Sequence, residues 1–138
     1  MTSELRVENL KGSTTGGSIN VLGEGTSATT NLQQGLEKVW VNFDGTASGA
    51  ASRDSFNVSG MTDNATGSYT PTFNVNMSNI NYSCADSVGD HDGTSESFSD
   101  GYCCTQATSS MKIIVGDFSN GNLSDRSNVS VQICGDLA

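Results

Sequence analysis

The sequence predicts an all-β fold, a β-sandwich or jelly roll with a short N-terminal arm and a short neck helix. Three observations lead there. Apolar residues alternate with polar ones over short runs between Gly-, Asn- and Asp-rich turns, most plainly from Trp40 to Met77. Only 34% of the 138 residues are hydrophobic and 15% charged, so Ser, Thr, Asn and Gly dominate, which form turns well and helices poorly. No fixed-period repeat suggests a solenoid or propeller.

Residues 1–25 are expected to form an arm. Leu5 and Val7 alternate with Glu4, Arg6 and Glu8, and Ile19 and Val21 repeat the pattern after a GSTTGG segment. Two such short strands are marginal in water alone. The arm is therefore either a loose terminus or a segment docked on a partner subunit, with Leu5, Val7, Ile19 and Val21 as its anchoring residues.

Residues 26–38 read as the one helix. Thr29, Thr30 or Asn31 can cap it, and Leu32, Leu36 and Val39 recur at four- and three-residue spacing. Gly35 would cost about 1 kcal/mol inside it. So short a helix needs its apolar stripe buried on its own domain or on copies of itself. Three stripes around an axis would make a trimeric neck, with Leu32, Leu36 and Val39 as oligomerisation residues.

Residues 39–138 read as the β-domain. Val39, Val41 and Phe43 share one face of the first strand, and a second strand runs near Asp54–Ser59. A turn is expected at Asp63–Gly67, then a long strand over Ser68–Ser78. Pro71 lacks an N–H and marks an edge or a bulge there. Ile80, Tyr82 and Cys84 suggest the next strand, and residues 86–101 an acidic irregular excursion. Tyr102–Ala107, Met111–Gly116 and Asn128–Cys134 complete the set. Trp40, Phe43, Phe56, Tyr69, Phe73 and Tyr82 are expected in the core.

A net charge of −9 and six scattered basic residues exclude nucleic-acid partners, because phosphate neutralisation needs clustered Lys and Arg. No run approaches the ~20 apolar residues of a membrane span, so no membrane insertion is expected. The opening MTSELRVENLKG lacks a basic region followed by an apolar one, so the chain is expected to be made in a cytosol. The Asn-x-Ser/Thr matches at Asn57, Asn64, Asn76, Asn81, Asn122 and Asn128 then follow from Asn and Ser richness alone.

Catalytic chemistry finds little support. His91 is the only histidine and sits in GDHDG, a solvated loop. No Gly-x-Ser-x-Gly, P-loop or HExxH motif is present, and no cofactor is implied. Asp86, Asp90, Asp92, Glu96 and Asp100 could offer oxygen ligands to Ca²⁺, but their spacing does not match an EF-hand and acidic loops are common without metal. Cys84, Cys103, Cys104 and Cys134 lack zinc-ligand spacing. Adjacent Cys103 and Cys104 point to opposite faces of a strand. Free thiols are expected in a reducing cytosol, and a disulfide formed outside the cell is the other reading. Loops at a sandwich end commonly carry recognition. Residues 86–101 and 117–127 are such loops, with Asp90, His91, Asp92, Phe98, Tyr102, Asn120 and Asn122 as candidates.

Several strings carry a likeness. Leu32–Leu36, Val39–Thr46 (VWVNFDGT), Arg53–Ser59 (RDSFNVS), Thr62–Asn64 and Gly67–Tyr69 resemble the opening of a C-terminal β-domain in tail-fibre and other virion appendage proteins of marine tailed phages. The opening MTSELRVENLKG looks like the start of such fibre proteins. The likeness covers residues 1–12 and about 30–77, and departs from the pattern at Ser52 and Pro71. It brings no catalytic or ligand residues.

What it implies is a virion structural protein, assembled in the host cytoplasm, not an enzyme. The first expectation is a small tail-fibre-like appendage, homotrimeric, touching other virion proteins or a host surface receptor. A capsid decoration or head-fibre protein clamped by its arm is the alternative, favoured by a chain short for a fibre. A polysaccharide depolymerase would need paired carboxylates held in a groove, and the acidic loop offers them no predicted framework.

Overall fold

The computed structural model describes residues 4–16, 18–23, 27–90, 99–117 and 119–138. The chain divides into two units, residues 1–36 and 37–138. The first holds one antiparallel pair, β1 (Asn20–Leu22) against β2 (Thr29–Asn31).

The expected neck helix is not there. Thr29 and Thr30, β-branched and unsuited to a helix, pair with Leu22 and Val21 instead. Asn31 does accept from the backbone N–H groups of Gln33 and Gln34, as a cap would. Only one turn follows it, closed by Gly35 N–H on the Asn31 carbonyl at 3.2 Å. The next strand starts at Glu37, so Leu32, Leu36 and Val39 form no stripe. Val39 is 1% exposed in the core of the second unit.

Among the described residues the second unit is built of strands: β3 (Glu37–Asp44), β4 (Ala51–Phe56), β5 (Val58–Ala65), β6 (Ser68–Phe73), β7 (Ser83–Gly89), β8 (Ser99–Gln106), β9 (Met111–Asp117), β10 (Asn122–Leu123) and β11 (Asn128–Cys134). One antiparallel sheet has the order β4-β3-β11-β7. The other centres on β9, which carries β8 along one edge and shares its other edge between β6 and β10; β5 lies outside β6. The fold is all-β, with two sheets packed as a sandwich.

Period-two alternation builds the core. Val39, Val41 and Phe43 of β3 join Val129, Val131 and Ile133 of β11 from one sheet. Tyr69, Phe73, Met111, Ile113 and Val115 come from the other. Phe43 meets Tyr69 edge-on at 5.0 Å between ring centres, and Phe73 meets Tyr82 at 6.2 Å. Such T-shaped pairs add to area burial. The same alternation turns Trp40 outward between Val39 and Val41, opposite Phe56 on β4. Phe56 is 51% exposed. Both were expected in the core; strand parity, not aromatic character, decides their side.

Four further expectations are corrected. The single strand near Asp54–Ser59 is two strands, one in each sheet, meeting at Asn57. Its φ of +58° makes the corner, and its side chain donates to the Lys38 and Val75 carbonyls while accepting from Val75 N–H. The strand from Ser68 stops at Phe73 rather than Ser78. Pro71 is buried and lies opposite Met61 in an interior strand. Its missing N–H does no harm because regular pairing of β6 with β9 covers only Ser68 and Tyr69. Last, the acidic stretch is mostly not irregular where it is described: Asp86–Gly89 close β7 and Ser99–Gly101 open β8.

Candidate functional site

One concavity of the second unit is a groove of about 270 Å³ on the sheet that contains β8, β9 and β10. Strand parity supplies its floor. Tyr102 and Ile114 are register partners on β8 and β9, and both point away from the core that Ile113 and Val115 enter. Leu123 on β10 faces Gly116. At Gly116 a side chain would strike the Asn122 carbonyl, a Cβ lying 2.7 Å from it. The absence of that side chain lets β10 close one end. Tyr102 is 61% exposed.

The rim is polar. Asp100, Asp117 and Asn122 line it. Asp117 accepts from Ser119 N–H at 2.8 Å, Ser119 Oγ at 2.6 Å and Asn120 Nδ2 at 3.1 Å. The Ser119 hydroxyl first, with the other donors, holds its carboxyl below the usual range. Asn120 in turn accepts from Asn122 N–H. Three protein donor contacts hold the Asp117 carboxylate in place as a fixed anionic edge. The groove joins an aromatic and aliphatic floor to fixed hydrogen-bonding groups, a combination suited to binding a ligand with one apolar face.

The remaining recognition candidates scatter. Asn120 and Asn122 shape the groove rim, with Tyr102 on its floor. Asp90 lies within ion-pair distance of Arg126, 3.6 Å, with both side chains mostly buried. It is thus tied into the fold. His91, Asp92 and Phe98 lie outside the described residues, as does Glu96. The acidic residues that could offer oxygen ligands are divided where they are described: Asp86 faces the interior, Asp90 meets Arg126 and Asp100 reaches the groove. Sequence reasoning missed Ile114 as a lining residue, and held Asp117 and Leu123 within the 117–127 loop without singling them out. The signal was present in Ile113–Ile114–Val115, where an apolar residue breaks the alternation and must face outward.

The first unit has a groove of its own, about 320 Å³, lined by Leu10, Gly16, Ile19, Leu32, Gln33 and Leu36. It brings together Ile19 from the arm set with Leu32 and Leu36 from the oligomerisation set. Leu5, Val7 and Val21 are exposed elsewhere on the unit. The chain gives no significant match to any family model, to any curated protein or to any solved structure.

Proposed function

We propose that this chain is a non-catalytic structural protein of a phage virion, a small tail-fibre-like appendage attached through residues 4–36 and presenting its sandwich to a host surface or to adjoining virion proteins. The observation that carries the reading is the first unit's surface. Leu5, Val7, Leu10, Val21, Leu22 and Leu36 are all exposed there, and none of the unit's described residues is in the buried core. Large apolar side chains left exposed along one short segment suit a surface that another molecule covers. The sequence likeness to phage appendage proteins names the kind of assembly. The groove around Tyr102 is the surface offered for recognition.

Self-association into a trimer belongs to this proposal. Without a helix at 26–38 the shared-neck argument falls away, and the count of three rests on the likeness. The apolar groove of Ile19, Leu32 and Leu36 is the contact offered to neighbouring copies. Light scattering on the size-separated full chain at micromolar concentration is expected to give three times the chain mass. Leu32→Asp with Leu36→Asp is expected to reduce it to one. A monomeric parent chain would remove the trimer.

A capsid decoration protein is the second reading. It is favoured by the extended arm, where Leu5, Val7 and Leu10 spread along non-helical backbone as a clamp would rather than gathering at a neck. Density for the chain on the shell of a virion reconstruction, and none on the tail, would decide for it.

A further inference from the structure

Two of the four cysteines face one another across the open side of the sandwich. Among the described residues β7 is the edge strand of its sheet, and β8 pairs only with β9, so it too is an edge. The two edges pack together without backbone pairing. From β7 the inward side chains are Cys84, Asp86 and Val88, half-buried in alternation with exposed Ser83, Ala85 and Ser87. From β8 they are Gly101 and Cys103, separated by exposed Tyr102. The approach is close: a Cβ on Gly101 would lie 2.8 Å from Val88 Cγ2 and 2.9 Å from Asp86 Oδ1. Both Cys84 and Cys103 pack on the hydrophobic core. The Cys103 thiol donates to Asp86 Oδ2 at 3.7 Å, and Cys84 lies two residues before Asp86 on the same inward face of β7, near enough to act on the Cys103 thiol.

The other two cysteines are turned away. Cys134 follows Ile133, the register partner of Cys84. Ile133 enters the core, so Cys134 projects from the outer face and is exposed. Cys104 lies one residue beyond Cys103 and so leaves the opposite face of β8. Strand parity thus leaves Cys84 and Cys103 as the one pair of cysteines that both point inward.

We propose that Cys84 and Cys103 are a disulfide-forming pair, a covalent staple that closes the β7–β8 edge when the chain meets a low-molecular-weight disulfide. The chemistry is thiol–disulfide exchange. Cys84 gives its proton to solvent base, and its thiolate attacks one sulfur of the external disulfide. One small thiolate leaves and takes up a proton, giving a mixed disulfide on Cys84. Cys103 then ionises and attacks the Cys84 sulfur, and the second small thiol departs protonated. Two protein thiols lose two electrons in all, and one external disulfide becomes two thiols.

The surroundings set the pace. Burial first, then Cys84 and the Asp86 carboxylate, push the Cys103 thiol well above its ordinary value. The thiolate is the reactive form, so the second step is slow at neutral pH and faster in alkali. The staple closes where a small disulfide is in excess and opens where small thiols are in excess. The bond would enclose residues 85–102, which limits the unfolded chain and stabilises the fold. This inference does not depend on the proposed virion role.

The test uses the full chain with Cys104→Ser and Cys134→Ser, which alter outward positions only. After incubation with glutathione disulfide at pH 8.5, peptide mapping is expected to recover one linked peptide joining Cys84 to Cys103. The melting temperature is expected to rise by about 10 °C and to return with dithiothreitol. Cys103→Ser added to that background should abolish the rise. Two alkylatable thiols after incubation, or a separate glutathione on each cysteine, would overturn the pairing. So would a linked peptide with no gain in melting temperature, since the staple would then not hold the edge.

Discussion

Residues 4–36 and residues 37–138 use the same side chains in opposite ways. Both contain short runs in which apolar and polar residues alternate. In the second unit the alternation ends with Phe43, Ile113 and Ile133 fully buried, because each sheet meets another sheet. In the first, Leu22 is 65% exposed and Val21 is exposed beside it, because β1 and β2 are three residues each and form a lone pair. Alternation makes a strand with two unlike faces. A second layer makes the apolar face a core. The described residues of the first unit supply no such layer, and on the proposed function another molecule covers that face.

The comparison breaks most easily at the core. Phe43→Ala is expected to cost about 3–5 kcal/mol in urea unfolding, the range for losing a buried aromatic ring. Leu22→Ala should stay within about 0.5 kcal/mol, as exposed substitutions do. Equal effects would erase the distinction between the units.

Asn57 gives the next largest effect. It joins the two sheets in a left-handed conformation and makes three hydrogen bonds with its side chain. Asn57→Ala is expected to cost about 2–4 kcal/mol, from lost hydrogen bonds of about 1 kcal/mol each plus the strain of a positive φ. Asn57→Gly relieves the strain alone and should recover about 1 kcal/mol of that loss.

Alkali should unfold the sandwich through its buried tyrosines. Burial pushes the Tyr82 hydroxyl up to about 12. Tyr69 is raised by burial and by its bond to Asp125 at 2.5 Å. In both cases the folded state holds its proton longer than the unfolded chain does. Their contribution is whole below pH 10 and is lost as pH rises toward 12. Denaturant midpoints should fall over that window, and phenolate absorbance from these two residues should appear only with unfolding.

The smallest effects come from two aspartates of opposite sign. Hydrogen bonds from Thr46, with Arg53 nearby, lower Asp44. Its stabilisation is present at neutral pH and fades as pH falls through the folded value. Burial, with the Asp100 charge adding to it, raises Asp86. That site favours the fold in acid, and the advantage is lost as pH rises. Asp86→Asn should therefore increase the melting temperature at pH 8 and do so less at pH 4, whereas Asp44→Asn should lower it at pH 8.

The strands at the centre of each sheet were legible because their inward residues have no rival explanation. Val39-Val41-Phe43, Met111-Ile113-Val115 and Val129-Val131-Ile133 allow one register only. Asn57 was harder to read. A residue that ends one strand and begins another leaves no gap in the alternation, so two strands looked like one. The false helix at 26–38 had a different cause. Asn31 does behave as a cap, and Leu32 and Leu36 do stand four apart, but β-branched threonines before them and Gly35 after them allow a single turn. The groove around Tyr102 was half visible. Tyr102 and Asn122 were singled out by composition, while Ile114, Leu123 and Asp117 needed the pairing of β8, β9 and β10 to bring them together.

The central claim, that residues 37–138 hold themselves together while residues 4–36 await a partner, is most directly tested by amide hydrogen exchange on the chain diluted to its monomer and again when associated. Slow exchange is expected for β3, β9 and β11 in both states, with residues 18–36 exchanging fast in the monomer and becoming protected on association. Protection of residues 18–36 in the monomer as strong as that of β3 would contradict the account.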